Sequence, residues 1–230
     1  MKLTGRRQAI MDLLLEEGTT TVDELATRFG VSKMTIHRDL DDLEGGGLLR
    51  KVRGGATIQS SAQFESDFRY RQTLAAAEKD RIAAAAVRLI EPGQTVITNN
   101  LTVVNALAGS PGINLIALGG QYSRRFHGFF GIACEDALRA LRADVVFLSS
   151  SAIHGAAAFH QNQEVVQSKR LMIASAERRH LLVDHTKFGR PALYFLSDLT
   201  AFDSVLTGQA PDPAHQEVLD AAGISLQVVG

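Results

Sequence analysis

The sequence lacks most of the features that would place it outside the ordinary globular class. It has one cysteine in 230 residues, so no internal disulfide is available; Cys134 suits a reducing cytoplasm and reads as a small packed hydrophobe. No run of about 18 apolar residues occurs, which argues against a transmembrane helix and against a membrane partner. The N-terminal segment MKLTGRRQAIMDLLLEEG is basic and then apolar, but Asp12 breaks the apolar run, so it reads as a helix rather than a secretion signal. A surplus of one charge is also missing: the net charge is −1, and residues 1–58 hold about as many acids as bases. Any anion-binding surface must therefore come from local segregation of charge. His154, His160, His180 and His185 match no zinc spacing, and no spacing makes Glu164 and Asp184 an acid–base pair. No cofactor or metal is implied.

What is present is concentrated in residues 31–56, VSKMTIHRDLDDLEGGGLLRKVRGGA. Ser32 is a good N-cap, and Ile36, Leu40 and Leu43 recur at i, i+4 and i+7 as an apolar stripe. Lys33, Met34, Thr35, His37 and Arg38 occupy the first half of that helix, most of them pointing away from the stripe. The second half carries Asp39, Asp41, Asp42 and Glu44, which phosphate would repel, so the N-terminal half is the end to insert into a major groove. Upstream, Thr21 and Glu24 form a capping box, Val22, Leu25, Ala26 and Phe29 give a second apolar stripe, and Gly30 ends the helix. Ile10, Leu13 and Leu14 mark a first helix with Arg6 and Arg7 near its start. Downstream, three glycines at 45–47 end the recognition helix, and residues 48–53 alternate loosely before Gly54 and Gly55, as a small hairpin would. Its cations Arg50, Lys51 and Arg53 suit the phosphates flanking a groove. Helices, turn and basic ribbon together predict a winged helix-turn-helix whose partner is double-stranded operator DNA. A single recognition helix reads few base pairs, so a homo-oligomer, dimer or tetramer, is expected.

Residues 59–74 are polar without a clean period and read as a linker. Beyond them helical segments at 77–91, 101–108, 132–142, 163–178 and 213–222 alternate with extended runs at 95–98, 114–118, 145–148, 181–183, 204–206 and 226–229. That alternation predicts an α/β domain at 75–230 with a mostly parallel sheet. Ligands in such sheets bind at the carboxyl ends of the strands. The polar residues collect there: Thr98 and Asn99, then Gly119 and Gly120, Ser149 to Ser151, Asp184 and Lys187, with Lys169 on the helix from 163 to 178. Hydroxyls, amides, two cations and a carboxylate suit a phosphorylated sugar or polyol.

These motifs resemble the DeoR family of bacterial transcription regulators. In the N-terminal part the resemblance rests on R-x-x-I-x-x-x-L at Arg7, Ile10 and Leu14, ELA-x-x-F-x-VS from Glu24, TI-x-RDL from Thr35, and GGA from Gly54. Where the family has Arg inside TI-x-RDL, this chain has His37, a mostly neutral imidazole in place of an always-charged fork. In the C-terminal part the matching pieces are TNN at 98–100, LGG at 118–120, G-x-A from Gly131, D-x-x-FL from Asp144, SKR at 168–170 and VD-x-x-KFG from Val183. The resemblance implies a sugar-phosphate-isomerase-like sensor and oligomerisation domain. The family's Asp-x-Gly-Thr-Thr loop, helix and second strand are missing, because Gly93 to Val96 run almost directly into Ile97 to Asn99. The expected fold is thus α/β, a winged helix-turn-helix at 1–58 joined to a sensor domain short of one strand–loop–helix unit of roughly 25 residues. Such a loss is expected to expose a sheet edge or reorder the strand pairing. It is also expected to weaken or change effector binding. The implied function is a repressor of sugar metabolism genes. An isomerase-like enzyme fused to DNA-binding helices, with Asp184 as base and Lys187 as electrophile, is the alternative. A regulator whose α/β domain only oligomerises is a third reading.

Overall fold

The computed structural model describes residues 5–45, 48–57, 71–72 and 74–230. The expected linker therefore lies outside the described residues save 71, 72 and 74, as do the second and third glycines of the 45–47 break. The chain divides into two compact units, Met1–Leu74 and Ala75–Gly230.

In the first unit, helix α1 (Gly5–Glu17) is followed by strand β1 (Thr19–Thr21), α2 (Val22–Phe29), α3 (Lys33–Gly45), β2 (Arg50–Val52) and β3 (Gly55–Thr57). The local signals form as read. Thr21 Oγ1 accepts from Glu24 N–H at 3.1 Å while Glu24 Oε2 accepts from Thr21 N–H at 2.8 Å, closing the capping box. Gly30 takes a left-handed φ of 63°, and Val31 N–H reaches back to Ala26 O at 3.1 Å, which ends α2 and starts the turn. Ser32 caps α3, its Oγ accepting from Thr35 N–H at 3.2 Å. Ile10, Met11, Leu14, Leu25, Ile36, Leu40, Leu43 and Leu49 are fully buried together. Each such side chain contributes roughly 1.5–3 kcal/mol. The wing is a sheet of three strands in the order β1-β3-β2, one more than the hairpin anticipated. Gly55 is required there, because a Cβ would lie 2.2 Å from Thr20 O.

The second unit opens with α4 (Ala76–Val87) and continues through β4 (Thr95–Thr98), α5 (Leu101–Leu107), β5 (Asn114–Ala117), β6 (Gln121–Ser123), β7 (Gly128–Phe130), α6 (Ile132–Ala140) and β8 (Ala143–Leu148). There follow β9 (Ala152–His154), β10 (Ala157–His160), α7 (Gln163–Ser175), β11 (Ala176–Leu182), β12 (Tyr194–Asp198), β13 (Ser204–Thr207), α8 (Pro213–Ala221) and β14 (Leu226–Val228). The six runs read as extended are the six strands of one sheet, ordered β14-β13-β11-β8-β4-β5, and every pairing in it is parallel. Ile97, Leu118, Leu138, Val146, Ile153, Leu181, Leu196 and Val205 belong to its main core. Cys134 is buried in the same cluster, and burial with the neighbouring Glu135 charge pushes its thiol up to about 11. It packs as a hydrophobe, as expected.

Two helix bounds need correction. The helix read at 163–178 stops at Ser175, and β11 begins at the next residue, so the strand is seven residues long rather than three. The helix read at 77–91 ends at Val87. A three-stranded antiparallel sheet, β12-β10-β9, and the β6–β7 hairpin were not anticipated. The direct run from Gly93 into Asn99 puts β4 inside the sheet. The four residues of β4 pair with β5 along their whole length, from Thr95↔Asn114 to Thr98↔Ala117, and meet β8 at Val96↔Val145. One short strand has neighbours on both sides, and the sheet edges fall on β5 and β14 instead.

Candidate functional site

The first candidate surface is the outward side of α3 with the wing. Ser32, Lys33, Met34, His37 and Arg38 are exposed, Met34 by 64%, and Thr35 is half-buried. Thr35 Oγ1 lies 2.9 Å from Ser32 Oγ. Lys33 Nζ is 2.7 Å from Asp23 Oδ1 across the helix pair, an exposed contact that nearby phosphate would easily displace. Arg50 and Arg53 are exposed on the wing, Arg53 beside Gly54 at φ 80°. Lys51 is placed differently. Its ammonium pairs with Asp41, and its N–H donates to Glu44 Oε1 at 2.7 Å, so it ties the wing to α3.

Of the acids of α3, Asp41, Asp42 and Glu44 are exposed, and Asp39 is not. Asp39 lies on the buried side, 3% exposed, with Arg6 Nε at 2.6 Å and Arg7 Nε at 2.9 Å from its two oxygens. Burial works against its charge, but the two guanidinium groups outweigh that and hold the carboxyl below its ordinary range. Arg7 also pairs with Asp42. Asp39, Asp41 and Asp42 thus each have a cation inside the first unit, and Lys33, Arg38, Arg50 and Arg53 are exposed cations of α3 and the wing.

The second candidate surface is the carboxyl edge of the parallel sheet, and its residues form separate groups. Thr98 ends β4 and Asn99 follows it. Asn99 Nδ2 donates to Phe129 O at 2.9 Å, Phe129 N–H donates back to Asn99 O at 2.8 Å, and Thr98 Oγ1 accepts from Asn100 N–H at 3.1 Å. Gly119 and Gly120 follow β5; Gly120, at φ 135°, leaves no room for a Cβ, which would sit 2.5 Å from Phe130 O. Its glycine is demanded by the β6–β7 hairpin, whatever else approaches it. Lys169 on α7 donates to Ser149 O and lies 3.3 Å from Ser149 Oγ, just past β8. The neighbouring Ser150 hydroxyl is buried without a hydrogen-bond partner.

Asp184 lies two residues beyond β11, 3% exposed, with Lys187 Nζ and Lys79 Nζ each 3.7 Å from Oδ2. Thr186 N–H donates to its Oδ1 at 3.1 Å, and the Thr186 hydroxyl donates there as well. Burial opposes its ionisation, yet the Lys187 ammonium first, then the Thr186 hydroxyl and Lys79, keep the carboxyl below its ordinary range. Sequence reasoning missed Lys79 and the residue before it. Glu78 on α4 is 3% exposed, and its carboxyl accepts from His185 N–H at 2.9 Å and Gly208 N–H at 3.1 Å, with His185 Nδ1 2.5 Å away. Nothing local in the sequence signals those partners. The other histidines are dispersed: His154 is exposed, His160 Nδ1 accepts from Asn162 N–H at 3.2 Å, and His180 Nδ1 is 2.8 Å from Ser204 Oγ. Among the described residues no group of three His, Cys, Asp or Glu side chains is placed to hold a metal ion.

A winged helix-turn-helix on one unit and a polar parallel-sheet edge on the other define a transcription regulator with a sensor domain. Residues 6–62 match the DeoR-like helix-turn-helix domain and residues 94–209 match the DeoR C terminal sensor domain. The chain belongs to the DeoR family of transcriptional regulators. It is 29% identical to the glycerol-3-phosphate regulon repressor of Escherichia coli (strain K12) over 252 positions, covering 99% of this chain and 100% of that protein. It is 32% identical to the lactose phosphotransferase system repressor of Lactococcus lactis subsp. lactis, covering 94% and 95%. It is 29% identical to the L-fucose operon activator of Haemophilus influenzae, covering 90% and 93%. An alignment of 252 positions against 230 residues leaves at least 22 positions of the Escherichia coli relative without a counterpart here, a shortfall the size of one strand–loop–helix unit. Among the described residues no helix is long and apolar enough to cross a membrane.

Proposed function

We propose that the chain is a cytoplasmic repressor of genes for sugar or sugar-phosphate metabolism, binding operator DNA as a homo-oligomer. The observation that carries this reading is the exposure of Met34, His37 and Arg38 on the first half of α3, on the unit whose wing presents Arg50 and Arg53. Ser32, Lys33, Thr35 and the wing cations Arg50, Lys51 and Arg53 complete the DNA-contacting set. Base edges are read from α3 and phosphates are met by the wing and the helix start. His37 supplies one hydrogen-bonding edge where an arginine would supply a charged fork, so less of the affinity comes from phosphate at that position. The names of the relatives favour repression of carbohydrate genes, though one of them is named as an activator.

The effector is a phosphorylated sugar or polyol at the strand edge, with Thr98, Asn99, Gly119, Gly120, Lys169, Asp184 and Lys187 as its ligands. Holding Asp184 ionised below the ordinary range makes it a weak proton acceptor and a good hydrogen-bond acceptor for hydroxyls, which favours binding over isomerase chemistry. The test is footprinting on the DNA upstream of the chain's own operon at low and high salt. Protection that fades with salt is expected; no protection at low salt overturns the reading. Thermal unfolding with a panel of sugar phosphates tests the sensor, since a ligand that binds the folded chain raises the midpoint, and raises it further with each increase in concentration above its Kd. A flat panel would identify the second unit as an oligomerisation module alone.

A further inference from the structure

The strand edge is held by the first two turns of the helix that follows the boundary between units. α4 begins one residue after Ala75, the first residue of the second unit. Ala75 caps it at φ 49°, ψ 39° with no side-chain cap bond, a left-handed position that strains a non-glycine residue. The start of α4 is thus not stabilised by its own sequence. It is stabilised by the edge. Glu78 fastens the His185 turn and the Gly208 turn, two segments 107 and 130 residues away in the chain. Lys79 reaches Asp184, and Arg81 Nη2 donates to Gly208 O at 3.3 Å. The fit is close: a Cβ on Gly208 would lie 2.3 Å from Glu78 Cγ.

We propose that Glu78 and Lys79 are positioning residues that couple ligand occupancy of the strand edge to the junction leading toward the DNA-binding unit. The proposal rests on the effector reading above. An anion arriving beside Lys187 competes with Asp184 for the two ammonium groups. Lys79 then leaves Asp184, one of the contacts that hold the first turn of α4 against the edge is lost, and the strained Ala75 conformation is released. A ligand that favours the released arrangement shifts the population toward it and lowers DNA affinity through the linked equilibrium.

The experiment uses the full chain with Glu78→Gln, Lys79→Met and Lys79→Arg. Amide exchange is followed at 76–80 and at 184–187, with and without inorganic phosphate and glucose 6-phosphate, alongside affinity for the DNA upstream of the chain's own operon. Expected are faster exchange at both segments together in E78Q and K79M, wild-type behaviour in K79R, and a loss of DNA affinity on the order of tenfold in K79M. Exchange that rises at 184–187 while 76–80 stays protected overturns the coupling, as does K79M binding DNA with wild-type affinity. Should E78Q fail to fold, the K79M and K79R pair decides. Should the wild-type chain fail to bind that DNA, the functional reading falls, and the joint or separate exchange of the two segments still decides the coupling.

Discussion

Asp39 in the first unit and Glu78 in the second are both carboxyl groups with 3% of their surface exposed, and they are held in opposite ways. Asp39 is balanced by two guanidinium groups from α1, whose side chains remain partly in solvent. Glu78 accepts from two backbone N–H groups and faces a histidine ring. The first arrangement matches charge with charge and fixes how α1 sits on α3, which orients the DNA-reading helix. The second satisfies the ends of backbone segments, and fixes where two turns of the sheet edge meet one helix. One is a pin in a small helical core; the other is a fastening between one helix and two distant turns.

The largest expected effect breaks the first pin. Asp39→Ala takes the counter-charge from Arg6 and leaves Arg7 with Asp42 alone, and should destabilise the first unit by about 3 kcal/mol, near the low end for a buried pair because the arginines can hydrate. Urea unfolding of the full chain measures it; a change within experimental scatter would mean that the pair is not a stabilising element. Next, Gly208→Ala forces the second fastening apart and should cost about 2 kcal/mol, the usual scale for overpacking a tight contact. The same denaturation curves, resolved with probes in each unit, should show this loss in the second unit alone.

A smaller difference lies in acid response. Asp39 and Asp184 are both held below the ordinary carboxyl range, so their stabilisation is fully present above about pH 4 and is lost as pH falls through their depressed values. His180 is another case: burial depresses its imidazole, and its Nε2 is buried without a hydrogen-bond partner. Its neutral form is the one that fits, so stability of the second unit should start to fall as pH drops below about 6.5 and go on falling down to the depressed value. A pH series of thermal midpoints should show the second unit weakening first, and His180→Phe should flatten that early part. If both units weaken together only below pH 4, the histidine contributes nothing. The smallest effects are in DNA binding. Arg53→Ala should reduce the salt slope by about one, while Lys51→Ala should change it less, because its ammonium already serves Asp41. His37→Arg should raise the slope.

How much of this was legible follows from the range of the interactions. Caps, the Gly30 turn and the α3 stripe depend on residues within one or two turns of each other, and they formed as read. The six parallel strands were legible because each is a short apolar run between helices. Strand β1 was not, because Thr19, Thr20 and Thr21 carry no alternation and become a strand only by pairing with β3. The end of α7 was misplaced because Ala176 to Arg179 would serve a helix as well as a strand. Pairing with β8 along 143–148 decides for the strand.

The sequence by itself determined the class of protein: a capped helix pair, a polar recognition face, a basic ribbon and an α/β alternation are all local patterns. Tertiary structure alone decided which charges are available for binding. Asp39 turned inward and Lys51 was claimed by Asp41. The short β4 was placed between β5 and β8, and Glu78 and Lys79 were carried to a strand edge more than a hundred residues away. The physical reason is that burial and charge pairing depend on distance in space, which spacing along the chain does not contain.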